Sequence, residues 1–96
     1  MSEALDEAVK ALKSKVGEGG FDGSVRFDIE DEGSVRLDDS GVSESDAEAD
    51  CVISGSLDTF REMFDGELDP TSAFMTGRIK IDGDMSVAMK LAQVFS

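Results

Sequence analysis

Residues 66–95 read GELDPTSAFMTGRIKIDGDMSVAMKLAQVF. Asp69 stands as the N-cap of a short helical turn that Pro70 opens at its first position, and Gly77 closes that turn after Phe74 and Met75. Ile79 and Ile81 then alternate with Arg78, Lys80 and Asp82, the two-residue period of a half-buried strand. Gly83 turns the chain and Asp84 caps a final helix. In that helix Ser86, Lys90 and Gln93 form one narrow polar stripe at i, i+4 and i+7. Met85, Val87, Ala88 and Met89, then Leu91, Ala92, Val94 and Phe95, fill the rest of the circumference. A helix resting on a sheet needs an apolar arc somewhat over 100° wide, and this arc is roughly twice that. The helix therefore needs cover on more than one side, from the sheet, a neighbouring helix, another subunit or a ligand.

Upstream, Leu5, Val9, Leu12 and Val16 mark one face of a first helix opening at Ser2 or Glu3 and running to about Lys15. Its acids come early and its lysines late, in keeping with the helix dipole, and Gly17, Gly19 and Gly20 end it. Val25, Phe27 and Ile29 alternate with charged residues as a strand with one wet face; Glu30 to Gly33 reads as a turn, and Val35 and Leu37 return as a second strand. After a turn at Asp39-Ser40-Gly41, the stretch VSESDAEAD reads as a polar edge strand. Ala49, Cys51 and Ile53 form a more buried one. Ser56 caps a helix with Leu57, Phe60, Met63 and Phe64 at three- and four-residue spacing, stopped by Gly66. This order predicts an α+β fold with a mostly antiparallel sheet whose helices cover one face, and residues 1–96 as a single domain.

The totals narrow the function. The chain has 96 residues, 22 acids against 9 Lys and Arg, and a net charge of −13. Phosphate binding needs clustered cations, so nucleic acid is excluded as a partner and contact with anionic membranes is at most transient. No apolar run approaches the ~18 residues needed to span a bilayer, and the acidic, amphipathic start does not read as a secretory signal. Histidine, tryptophan and tyrosine are absent, which removes the commonest general base and metal ligand. Cys51 is the only cysteine, so no internal disulfide forms, and a reducing cytoplasm is the simplest setting. Asp28, Glu30, Glu32, Gly33 and Asp39 fall on positions of a calcium-loop template, but predicted strands flank them and Arg36 intrudes, so a solvated hairpin is the better reading and no metal is assigned. Asp39-Ser40 lacks the helical setting of a phosphopantetheine serine. Cys51, at an inward strand position with no histidine, reads as a small buried hydrophobe.

Methionine crowds the last third, at Met63, Met75, Met85 and Met89. Its flexible, polarisable side chain suits irregular or changing contents, although Met and Phe at helical spacing serve equally as ordinary core. The segment from Gly66 to Leu91 resembles the C-terminal signature of the sterol-carrier-protein type-two lipid-binding family, as a stand-alone, bacterial-like member. The resemblance is carried by Gly66, Leu68, Pro70, then Ser72-Ala73-Phe74, Gly77, Ile79-Lys80-Ile81, Gly83 and Ala88-Met89-Lys90-Leu91. Glu48-Ala49-Asp50-Cys51 and the Ser56…Phe60 spacing fit the preceding elements, while the first half agrees only in element order. The resemblance implies a five-stranded sheet covered by helices and enclosing an apolar tunnel. It implies non-covalent binding of a fatty acid, acyl chain or sterol-like lipid, with no catalysis and no cofactor. Phe60, Met63, Phe64, Phe74, Met75, Ile79, Ile81, Met85, Met89 and Phe95 are the expected lining. Glu67, Asp69 and Asp82 make the rim more acidic than is usual in that family. The alternative is an interaction domain whose apolar last helix docks on a partner enzyme or forms a weak homodimer.

Overall fold

A computed structural model describes residues 3–17 and 20–95; the cap expected at Ser2 and the stop expected at Gly19 lie outside them. The elements run α1 (Glu3–Val16), β1 (Val25–Ile29), β2 (Gly33–Asp38), β3 (Gly41–Glu44), β4 (Cys51–Gly55), α2 (Leu57–Phe64), α3 (Pro70–Met75), β5 (Ile79–Gly83) and α4 (Met85–Phe95). The five strands form one sheet in the order β3-β2-β1-β4-β5. Every pairing is antiparallel except β1 with β4, so the sheet is mixed but mostly antiparallel, as the element order implies.

Strand alternation decides which face is covered. In register, Val35, Phe27, Ile53 and Ile81 form one row across β2, β1, β4 and β5, and Leu37, Val25 and Cys51 form the next. On this face α1 sets Leu5, Ala8 and Leu12, α2 sets Phe60 and Met63, and α4 sets Val87, Leu91 and Phe95, all in one buried cluster. Four aromatic rings tie the layers. Phe27 meets Phe60 edge-on at 5.8 Å, Phe60 stacks on Phe64 at 5.9 Å, and Phe64 meets Phe95 edge-on at 5.9 Å. Such pairs each add about 0.5–1.5 kcal/mol beyond the area they bury.

Two sequence expectations are corrected. The polar edge strand is short, covering only Gly41–Glu44, and Ala49 lies before β4 rather than within it. Residues 45–50 instead form an irregular crossover over the Arg26 and Arg36 face of the sheet, because β4 pairs with β1 and the chain must pass from the β3 edge towards the other. Arg26 donates to the Asp46 carbonyl at 3.2 Å and Arg36 to the Glu48 carbonyl at 3.1 Å, pinning the crossover. Asp28 holds Arg26 through two bonds of 2.8 and 3.1 Å and accepts Ser34 Oγ at 2.7 Å, while Asp38 pairs with Arg36. The second correction concerns Gly83. It ends β5 opposite Cys51 rather than standing in a turn, and its φ of +98° beside the Asp50 carbonyl admits no side chain.

Candidate functional site: an apolar groove between α3, β5 and α4

Local chemistry places the walls. Ser56 caps α2 by accepting Thr59 N–H, and Asp69 caps α3 by accepting Thr71 N–H at 3.0 Å. Gly77 ends α3 at a φ of +78°, and Arg78 N–H donates back to the Ala73 carbonyl at 2.9 Å, which turns the chain directly into β5. The Arg78 guanidinium reaches Glu62 and the Thr59 hydroxyl, fastening the start of β5 to α2. Asp84 Oδ1 accepts Ser86 N–H at 2.8 Å to open α4, and its hydrogen bonds with Ser86 hold its carboxyl below the ordinary range.

Between these elements lies a cavity of about 170 Å³. Its floor is Ile53, Ile79 and Ile81 of the sheet. One wall is Pro70, Thr71 and Phe74 of α3, and the other is Met85, Ala88, Met89, Leu91 and Ala92 of α4. Apart from the Thr71 hydroxyl the lining side chains are apolar. The groove opens to solvent on one side, where Phe74, Met85 and Met89 are 44%, 48% and 66% exposed.

Phe74, Ile79, Ile81, Met85 and Met89, expected from sequence as lining, come together around this groove. The other five lie elsewhere. Phe60, Met63 and Phe95 are buried in the core cluster, Phe64 is half-buried among the rings of Phe27, Phe60 and Phe95, and Met75 is 79% exposed on the outer side of α3. The cavity is thus an open-sided groove between α3, β5 and α4, and no enclosed tunnel is seen among the described residues. Ala88 and Ala92 were missed by sequence reasoning. Their signal was present: two alanines one turn apart on an otherwise bulky helix face leave a recess where larger residues would fill it.

The groove holds no acid–base pair. Cys51 is fully buried, and burial, followed by the charges of Asp84, Asp82 and Asp50, pushes its thiol up, so it stays protonated at neutral pH. Among the described residues, no three or more His, Cys, Asp or Glu side chains gather as a metal site. Asp28, the first position of the calcium-loop template, is already engaged by Arg26 and Ser34. No described helix is long and apolar enough to cross a membrane.

The fold and the groove define an α+β domain whose candidate site is a recess of apolar side chains beside its last helix. The chain belongs to the SCP-2 sterol transfer family, which it matches over residues 2–96. It is 36% identical over 104 aligned positions to hydroxysteroid dehydrogenase-like protein 2 of Xenopus tropicalis, covering 97% of this chain and 25% of that protein. The chain thus spans about a tenth to a quarter of the hydroxysteroid dehydrogenase-like relatives it matches, 11% of the mouse one and 25% of the Xenopus tropicalis one. Among solved structures, sterol carrier protein 2 like 2 from Aedes aegypti superposes with a TM-score of 0.77 at 21% identity, covering 95% of each chain. The palmitated form of SCP2L2 from Aedes aegypti is 26% identical, with a TM-score of 0.69 over 99% of this chain and 95% of that one.

Proposed function

We propose that residues 1–96 form a lipid-binding domain that carries a fatty acid or fatty acyl chain, without catalysis, in the groove between α3, β5 and α4. The observation that carries this reading is the apolar recess itself, with Phe74, Met85 and Met89 left at its open side. A folded chain with 22 acids has ample polar surface to place there, so large exposed side chains in one patch need a partner. The palmitate held by the 26%-identical relative supports an alkyl chain as that partner. The lining favours a flexible chain over a rigid sterol-like body. An apolar cavity of about 150 Å³ takes a benzene-sized group, and an alkyl chain can fill a comparable space segment by segment. No cation lines the recess, so the carboxylate stays at the solvent mouth, where it is hydrated. Burial of the chain contributes about 25 cal/mol per Å² before ordering costs. The buried free thiol of Cys51 fits carriage in a reducing cytoplasm.

Native mass spectrometry of the purified protein, with organic extraction of the same sample, tests the reading. A stoichiometric fatty acid or acyl adduct, lost on denaturation, is the expected result. A ligand-free mass, with no thermal shift on adding a panel of fatty acids, would refute it. The exposed face would then call for a partner enzyme or a second copy.

A further inference from the structure

Sulfur is distributed unevenly over the described residues. Cys51 and Met63 are sealed in the core, whereas Met75, Met85 and Met89 are all exposed on α3 and α4. Met85 and Met89 lie one turn apart in the groove wall; Met75 lies outside it. The buried, protonated Cys51 thiol does not compete for oxidants, because reactivity there requires an accessible thiolate. Among the described residues the accessible sulfur is therefore thioether, and two of its three side chains, Met85 and Met89, line a recess that is almost wholly apolar.

We propose that Met85 and Met89 are an oxidation site for hydroperoxides, and that sulfoxide formation there lowers the groove's affinity for lipid. This rests on the lipid-carrying reading above. The thioether sulfur attacks the terminal peroxide oxygen, the O–O bond breaks, and the hydroperoxide proton passes to the departing oxygen. Sulfur loses two electrons and becomes a sulfoxide, and the hydroperoxide is reduced to an alcohol, or to water if it is hydrogen peroxide. The new S=O dipole finds only the Thr71 hydroxyl as a side-chain donor in the lining. It either turns out to water, taking the side chain from the wall, or stands unsatisfied against the lipid. The hydroperoxide comes from one of two sources, dissolved peroxide or a peroxidised acyl chain seated in the groove. Exposure ranks Met75 first for the dissolved reagent, whereas a seated chain presents its peroxide to Met85 and Met89.

The test treats wild type and the M85L/M89L double variant with hydrogen peroxide or with a fatty-acid hydroperoxide. Oxygen uptake is mapped by peptide mass, and each sample is titrated with a fluorescent fatty acid. Each protein is compared with its own untreated affinity, and circular dichroism confirms that both remain folded. Wild type is expected to gain oxygen at Met75, Met85 and Met89 with Met63 spared, and to bind about tenfold more weakly per groove sulfoxide. The double variant, oxidised only at Met75 among these exposed positions, keeps its own starting affinity. Sulfoxides at Met85 and Met89 without weakened binding, or an equal loss in the double variant, would overturn the proposal. Failure of untreated wild type to take up the probe would instead overturn the lipid-carrying reading. Oxidation of Met85 and Met89 ahead of Met75 by the fatty-acid hydroperoxide assigns the source to the seated chain. Met75 first with both reagents assigns it to dissolved peroxide.

Discussion

Replacing Ala88 by leucine separates a binding recess from an imperfectly packed core. Ala88 is buried on α4 and faces the cavity of about 170 Å³, which has room for the three added carbons. At about 0.8 kcal/mol per buried carbon, full burial stabilises by about 2 kcal/mol, and half burial in the open-sided groove by about 1. For a domain of this length each kcal/mol moves Tm by about 4–8 °C, so the ligand-free variant should melt about 5–10 °C above wild type. Wild type with a fatty acid at a hundredfold excess over Kd gains about 2.7 kcal/mol, a rise of at least about 10 °C. In Ala88→Leu the leucine occupies that space, and the lipid-induced rise falls to a small fraction. Far-UV circular dichroism melts give both numbers, since the chain has no Trp or Tyr to report by intrinsic fluorescence. A destabilised variant would mean that the recess is already filled and overpacked by the change. An undiminished lipid shift would place the ligand elsewhere. Either result refutes the assignment of the groove.

Gly83→Ala should lower stability by about 3 kcal/mol, because its φ of +98° strains an L-residue and a Cβ there overlaps the Asp50 carbonyl oxygen; an unchanged Tm would contradict this packing. Asp28 gives a pH signature. Burial pushes its carboxyl up, but the hydrogen bonds from Arg26 and Ser34 outweigh that and hold it below the ordinary value. Its contribution is therefore complete above the unfolded pKa of about 3.9 and is lost as pH falls through the lower folded value. Asp28→Asn should melt below wild type near neutrality, with the gap closing under acid conditions; a gap constant with pH would remove Asp28 as the cause. On binding a fatty acid, hydrogen exchange should slow in α3 and the first turns of α4 and change little in β1 and β4. Uniform slowing would argue against local opening.

Elements with strong periodicity and a side-chain cap were legible in the sequence: α2 behind Ser56, α3 behind Asp69 and α4 behind Asp84. The alternation of Val25, Phe27 and Ile29 gave β1 its covered face. The path of residues 45–50 was not legible, because Ser, Asp, Ala and Glu there follow no apolar period. What holds that segment is Arg26 and Arg36 bonding its carbonyls, a contact between distant residues that local pattern does not contain. The lining was half legible for a related reason. Phe60, Met63 and Phe95 have the same apolar character as Phe74, Met85 and Met89. Only the placement of α2 over Phe27, and of Phe95 against Phe64, makes the first set core and leaves the second set open.

The groove is smaller than the roughly 300–1,000 Å³ typical of small-molecule sites, so the proposed lipid needs more room than its cavity of about 170 Å³ offers. The sheet is the stiff side. β4 is hydrogen-bonded on both edges, and Ile53 and Ile81 sit as direct cross-strand neighbours in it. At the far end of α4, Leu91 and Phe95 are buried, with Phe95 held edge-on by Phe64. The opposite side is the yielding one. α3 has six residues, and the start of α4 presents Met85 and Met89 to solvent on flexible, unbranched side chains. If the groove carries a lipid as proposed, the room for it is expected to come from α3 and the first turns of α4 parting over this floor, while Leu91 and Phe95 stay buried. On that reading the residue types divide by side, with branched isoleucines in the hydrogen-bonded floor and flexible methionines on the wall expected to move.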